Sequence, residues 1–211
     1  TEFGSGEGDG WLLGTYAQTS WSRPRDWLLE LGLRLDAWSP DPGDRIFELA
    51  PRLAAKRFLA DGDIAMKVAV GRYTQFLHSL RDEELPLGLD VWVLAGARAP
   101  HVVSDQLQLG VEGYRDVDWF WSFEAYIRSF DGVVTFNVAD DPNDDFDDIL
   151  SGDGVSYGAD MLLRKETGDV NGWIAVSFLQ ANRTFADVLA PEVPQPSVKY
   201  SPIFDRRLDV D

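Results

Sequence analysis

The stretch WFWSFEAYIRSF, residues 119–130, decides the fold because its two alternating faces differ in chemistry. The odd-numbered positions from Trp119 to Ile127 are apolar, whereas the even-numbered positions carry Glu124 and Arg128 among aromatic side chains. Alternation with a period of two predicts a β-strand. Such a strand belongs either to a soluble sheet, with the apolar face buried, or to a membrane barrel, with the apolar face against lipid.

The same alternation recurs along the chain and predicts an all-β, antiparallel, up-and-down fold. The predicted strands cover 11–21, 27–38, 46–58, 64–76, 103–114, 119–130, 155–166 and 173–185, and a ninth begins after residue 203. Short turns (SRPRD, ADGD, RDVD, TGDVN) alternate with mostly long connections (39–45, 77–102, 132–154, 186–203). Short turns at one end and long loops at the other are typical of outer-membrane barrels.

The composition of the two faces favours the barrel over the soluble sheet. The apolar faces persist over about a dozen residues, longer than the ~5–6 residues of typical soluble strands. Tryptophans lie near strand ends, as an interfacial girdle requires, at Trp11, Trp21, Trp27, Trp38, Trp119, Trp121 and Trp173. The residues predicted to face lipid are Leu31, Leu33, Trp119, Trp121, Phe123, Ile127, Met161 and Leu163. Those predicted to face a wet lumen, in pairs of opposite charge, are Glu30, Arg34, Glu48, Arg52, Glu124, Arg128, Asp160 and Arg164.

Composition and charge exclude several classes of function. The net charge of −17 over 211 residues argues against a nucleic-acid partner, since phosphates need a basic surface. The absence of cysteine removes disulfides, thiolate nucleophiles and cysteine-based zinc sites. No apolar run approaches the roughly 18 residues of a membrane helix, and no P-loop occurs.

Several segments resemble the barrel of TonB-dependent outer-membrane receptors, in matching order and spacing. They are YAQTSW (16–21), LGLRLD (31–36), APRLAAKRF (50–58), GRYTQF (71–76), PHVVSDQLQLGVEGY (100–114) and IFDRRLD (203–209). In the last segment, Leu208 replaces the histidine of the family's FDRRH. The resemblance covers almost the whole chain and implies that residues 1–211 are part of one barrel domain.

The resemblance also implies a function and a set of partners. Receptors of this family have a 22-stranded barrel, a plug domain and a TonB box, and they take up a bulky nutrient such as an iron chelate (siderophore), a cobalamin or an oligosaccharide. Neither a plug nor a TonB box is found here, and Asp211 is not the aromatic residue that ends such barrels. We therefore expect a middle-to-late barrel segment in the outer membrane of a Gram-negative bacterium, in contact with lipid, plug, TonB and a small-molecule nutrient, without a cofactor.

Two other architectures remain open at this stage. One is a soluble β-sandwich, acting as a carbohydrate-binding module, whose strands alternate in the same way. The other is a complete small barrel closed by eight strands, which requires the terminal strands to pair with each other.

Catalytic and metal sites are weakly indicated. The acidic loop DDPNDDFDD offers hard oxygen ligands for Ca²⁺ at Asp140, Asp141, Asp144, Asp145, Asp147 and Asp148, but Pro142 and Phe146 break the EF-hand pattern. His78 and His101 lie near Asp82 and Asp105, yet no activated-serine motif accompanies them, so we predict no enzyme activity. Ligand contacts are expected from aromatic residues of the long loops, at Tyr73, Phe76, Trp92 and Phe146.

Overall fold

The computed structural model describes residues 8–41, 43–81, 90–116, 118–137, 148–186, 197–202 and 207–210. Within these ranges the chain forms twelve strands and one 3-10 turn (Ala60–Gly62), and no helix has the length and apolar character needed to span a membrane. The strands are β1 (Asp9–Arg23), β2 (Trp27–Asp41), β3 (Ile46–Leu59), β4 (Ile64–Gln75), β5 (Leu77–Arg81), β6 (Asp90–Leu94), β7 (Val102–Arg115), β8 (Trp119–Phe136), β9 (Ile149–Lys165), β10 (Gly172–Ala186), β11 (Ser197–Tyr200) and β12 (Asp209–Val210).

One antiparallel sheet contains all of these strands except β5 and β6. Its order is β1-β2-β3-β4-β7-β8-β9-β10-β11, and β12 pairs with the same edge of β10 as β11 does. The predicted all-β antiparallel class and the eight long strands are therefore confirmed. Within the described ranges β1 pairs with β2 alone, so the sheet is open and the closed eight-stranded barrel is not formed.

Three segments predicted as connections contain strands. The segment 77–102 holds the hairpin of β5 and β6, β8 continues past residue 130 to Phe136, and β9 begins six residues before the predicted start. The segment 186–203 contains β11. Strand pairing therefore extends further into the long connections than the alternation pattern predicts.

Gly132 is a bulge that reverses the alternation of β8. The register changes from Asp131 opposite Asp153 to Val133 opposite Gly152, which leaves Gly132 as the extra residue. Its φ of 81° is a conformation that favours glycine, and a Cβ there would collide with the carbonyl oxygen of His101. Beyond the bulge, odd-numbered residues such as Val133 lie on the face that carries the charges earlier in β8.

The hairpin of β5 and β6 packs against this polar face, at the end of the sheet with the long connections. Trp38 on β2 donates a hydrogen bond from Nε1 to the carbonyl oxygen of Ala95 (2.7 Å) and stacks on Phe76. Two small buried clusters hold the hairpin in place, namely Trp38, Phe76 and Ala95, and Leu80, Ala99 and Val134, and a third beside them joins β7, β8 and β10 through Val102, Val133 and Phe185. Apolar burial is therefore concentrated under this hairpin.

Candidate functional site

The apolar face of the sheet is exposed. On β8, Trp119, Phe123 and Ile127 expose 38%, 45% and 49% of their surface. The other residues predicted to face lipid lie on the same face, where Leu31, Leu33 and Met161 are exposed and Trp121 and Leu163 are partly buried. Within the described residues no second sheet covers this face.

The apolar band on this face is bounded by charge. Arg72 and Asp105 form an ion pair (2.8 Å) toward the long connections, and Arg57, Arg115 and Lys165 lie toward the short turns. From Trp119 to Ile127 the band extends for about 27 Å along β8, at about 3.4 Å per residue. No charged residue of the described strands lies on this face inside the band.

The band crosses the sheet at a slant. On β1 the odd-numbered residues from Trp11 to Trp21 form the band, with its midpoint at position 16, and on β10 its midpoint is Val176. One row of paired residues joins Arg23, Trp27, Arg57, Met66, Val111, Phe123, Met161 and Val176. Phe123, the midpoint of the band on β8, lies in this row, so the midpoint shifts by seven residues, from position 16 to Arg23, between β8 and β1.

The opposite face carries a chain of ion pairs that links β3, β4, β7 and β8. Lys67 Nζ donates to Glu112 Oε2 (2.8 Å) and to Glu124, and Lys56 donates to Glu112. Gln108 Nε2 donates to Glu124 Oε2 at 2.7 Å. The charged side chains are only 21–30% exposed, so opposite charges offset much of their lost hydration.

The residues predicted to face the lumen share this polar face, and opposite charges four positions apart on one strand do not pair with each other. Within the described residues, none of Glu30–Arg34, Glu48–Arg52, Glu124–Arg128 and Asp160–Arg164 is in contact. The observed contacts are Arg34 with Asp36 (2.8 Å), Glu48 with His101 (2.8 Å), Arg52 over the Tyr73 ring, Arg128 with Gln106 and Arg164 with Glu166. Positions four apart along a strand are ~13 Å distant, whereas positions two apart are ~7 Å distant and neighbouring strands lie only ~4.8 Å apart, so contacts form at these shorter separations.

Lys56, Lys67 and Glu112 were not among the predicted site residues. The period-two alternation of their strands assigns all three residues to the charged face, so the sequence does indicate which face they occupy. Their meeting depends on the pairing of β4 with β7, which places Lys67 opposite Gly110. The long segment between these strands hides that register from the sequence.

A cavity of about 480 Å³ lies on the polar face beside the β5–β6 hairpin, and we call it the mouth cavity. Its lining includes Tyr73, Ser104, Gln106, Arg128, Phe130 and Arg183. None of the described residues that line it is acidic, although the chain as a whole has a net charge of −17. Arg128 donates from Nε (3.1 Å) and Nη2 (2.6 Å) to the neutral amide oxygen of Gln106.

The two histidines have structural partners and do not form a hydrolytic pair with the predicted carboxylates. His78 is buried, and its Nε2–H donates to the carbonyl oxygen of Pro100 (2.6 Å). This burial lowers the pKa of His78 below its usual 6.5, so the ring is neutral at pH 7. His101 contacts Glu48, and Asp105 is paired with Arg72; Asp82 lies outside the described residues.

Two aromatic predictions are corrected. Trp38 does not belong to an exposed girdle, because it is buried on the polar face under the hairpin, and Trp173 lies in register with Arg164 on that face. Phe76 is buried between Trp38 and the His101 ring, so it is not free to contact a ligand. Of the other loop aromatics, Tyr73 and Trp92 are exposed, and Phe146 lies outside the described residues.

The calcium prediction falls almost wholly outside the described residues. Only Asp148 is described, and the remaining candidates are Asp140, Asp141, Asp144, Asp145 and Asp147. In the part of the chain that the structure describes, no three histidine or carboxylate side chains are grouped closely enough to hold a metal ion.

Comparisons with models of protein families, with curated proteins and with solved structures found no match to this chain. The functional argument therefore depends on the two faces of the sheet and on the mouth cavity.

Proposed function

We propose that this chain is a segment of the wall of an outer-membrane β-barrel that takes up a bulky nutrient. The observation that carries the proposal is the exposed apolar band. Eight strands spaced by about 4.8 Å and a band about 27 Å long give an area of roughly 1,000 Å². The largest apolar patch of a typical soluble monomer is about 300–600 Å². A lipid environment removes the cost of exposing this larger area.

Two further features support a barrel wall. The band crosses the strands at a slant, which is expected where the strands of a membrane barrel are tilted. The half-buried chain from Lys56 to Gln108 suits a wet interior, where water and opposite charges solvate it. The hairpin of β5 and β6 is a long connection folded against the interior face, where it narrows the lumen.

The resemblance of the six quoted segments to TonB-dependent receptors supports the finer part of the proposal. On this basis the barrel encloses a plug, and an inner-membrane TonB complex supplies the energy for uptake. The substrate is then an iron chelate, a cobalamin or an oligosaccharide, and the mouth cavity lies on its path.

The placement of the two faces is tested by labelling. Because the chain lacks cysteine, Phe123→Cys and Ile127→Cys each give one label site on the apolar face, and Ser122→Cys and Tyr126→Cys give matched sites on the polar face. The protein is folded into phospholipid vesicles, and a fluorescent label is quenched with bromine-substituted lipid or with aqueous iodide. We expect lipid quenching at the first pair and iodide quenching at the second.

The same experiment distinguishes the soluble β-sandwich. A chain that remains folded and monomeric without detergent, and whose labels show no lipid quenching, contradicts the membrane proposal. Uptake itself is measured in cells carrying the parent gene, with labelled iron chelate or cobalamin. We expect uptake that disappears when TonB is deleted; uptake that persists contradicts the TonB-dependent part alone.

A further inference from the structure

Ser104 is a buried polar residue that points to a ligand in the mouth cavity. The residue is only 7% exposed, and its Oγ has no hydrogen-bond partner among the described protein atoms. A buried hydroxyl without a partner is unfavourable, and each such group in a native structure calls for an explanation. Ser104 lines the cavity, so a ligand there can supply the missing partner.

Arg128 supplies a positive charge to the same cavity. Two of its five N–H groups are directed at Gln106, a neutral partner. No carboxylate of the described residues forms an ion pair with it. The guanidinium therefore retains both its charge and the donors of Nη1, which suit the planar oxygens of a carboxylate.

One part of the cavity wall is apolar and aromatic, whereas Thr74, Gln75, His78, Ser79 and Arg183 contribute polar side chains elsewhere. Phe130 lies under the Arg128 guanidinium, 5.9 Å from ring centroid to Cζ, and Val102, Val133 and Val134 lie alongside. Pockets for small organic molecules typically combine such walls with a few polar groups and have volumes of about 300–1,000 Å³. The cavity thus offers an apolar patch beside the Arg128 cation and the Ser104 hydroxyl.

We propose that the mouth cavity binds a small organic anion, in which a carboxylate accepts from Arg128 and Ser104 and an apolar group packs against Phe130 and the valines. This proposal extends the proposed function by naming the ligand chemistry of the cavity. Its test is a binding measurement on the folded chain, and the result does not depend on whether the apolar face contacts lipid.

The probe is benzoate, and benzamide is its neutral counterpart of the same shape. Binding to the protein in detergent micelles is measured by calorimetry and by ligand NMR. We expect benzoate to bind at least tenfold more tightly than benzamide. Equal binding of the two, or no binding of benzoate, overturns the proposal.

Substitutions then assign the site. Arg128→Met is expected to weaken benzoate binding at least tenfold, whereas Arg164→Met is expected to leave it unchanged. Arg164 is a matched control because it lies on the same face over another ring, that of Phe120, outside the cavity. An equal loss in both variants indicates a general charge effect and refutes the site.

Ser104→Ala keeps the test valid if Arg128→Met does not fold. Because Ser104 Oγ has no protein partner, its removal should not lower the thermal unfolding temperature. We expect a several-fold loss of benzoate affinity in a variant as stable as the parent. Unchanged affinity in this variant contradicts the role of Ser104 and with it the proposed carboxylate position.

Discussion

Replacing Lys67 by methionine tests the ion-pair chain of the polar face. The substitution keeps the length of the side chain but removes the cation that joins Glu112 to Glu124. Charged hydrogen bonds with limited solvent contribute about 1.5–3 kcal/mol, whereas exposed ion pairs contribute about 0.2–1 kcal/mol. Lys67 and Glu124 are 30% and 29% exposed, so we expect a loss of about 2 kcal/mol in unfolding free energy.

Arg72→Met is the matched control on the same strand. Arg72 also donates twice to a carboxylate, that of Asp105, but the two side chains are 43% and 52% exposed. We therefore expect a loss of only about 0.5 kcal/mol. Both variants are unfolded with guanidinium chloride in detergent micelles and followed by tryptophan fluorescence. If Lys67→Met costs no more than Arg72→Met, the polar face does not hold a coupled, partly desolvated network.

A double substitution separates the pair from general destabilisation. In the Lys67→Met background Glu124 has lost its cation, so Glu124→Gln should cost less there than in the parent chain. We expect a coupling free energy of about 1 kcal/mol between the two positions. Strictly additive costs would show that the two groups act independently.

Four other outcomes are expected. Phe123→Arg should cost about 2–4 kcal/mol in vesicles if the apolar band contacts lipid, whereas Ser122→Arg on the polar face should cost under about 1 kcal/mol; equal costs contradict the assignment of faces. Gly132→Ala should lower the unfolding free energy by about 2 kcal/mol, because alanine is strained at φ 81°; a neutral effect refutes the bulge. Trp38→Phe should cost about 1–2 kcal/mol through the lost hydrogen bond, measured by the same unfolding assay. Because the pKa of His78 is lowered in the folded protein, the unfolded chain binds a proton at this ring at higher pH, so the unfolding free energy should fall as pH drops below 6.5. The slope of unfolding free energy against pH should be smaller in His78→Gln, and an unchanged slope would exclude His78 as its source.

The strands were predictable because successive side chains point to opposite faces of a sheet, so every strand shows the same period of two in its apolar and polar residues. Residues 119–130 and the seven other alternating segments all lie in strands of the sheet. The hairpin at 77–94 was missed because its strands have only five residues, too short for a period to be recognised. Its position is fixed by tertiary contacts, such as the Trp38 hydrogen bond to Ala95, that no local pattern contains.

Gly132 shows how local and tertiary preferences conflict. The sequence analysis predicts a connection at 132–154, and the dipeptide Asp131–Gly132 at its start is itself a turn signal. In the structure the positive φ of the glycine is used for a bulge, and the close approach of the His101 backbone excludes a side chain there. The same bulge places Val133 and Val134 beside the mouth cavity, so the cavity was equally hidden from the sequence.

The register of the sheet follows from the chemistry of its two faces if the apolar face contacts lipid. A slip of one residue in any strand exchanges its faces, because side chains alternate with a period of two. In β4 such a slip would carry Lys67 into the apolar band and Val68 onto the charged face. A lysine at the centre of a bilayer costs about 2–4 kcal/mol, and Glu112 and Glu124 would lose their partner as well. If lipid lies against the apolar face, it and the ion pairs of the polar face together specify one register, as a buried core does in a soluble sheet. On the proposed barrel, the described sheet needs few buried apolar residues away from the hairpin, because lipid on one face and water on the other select the register in place of a core.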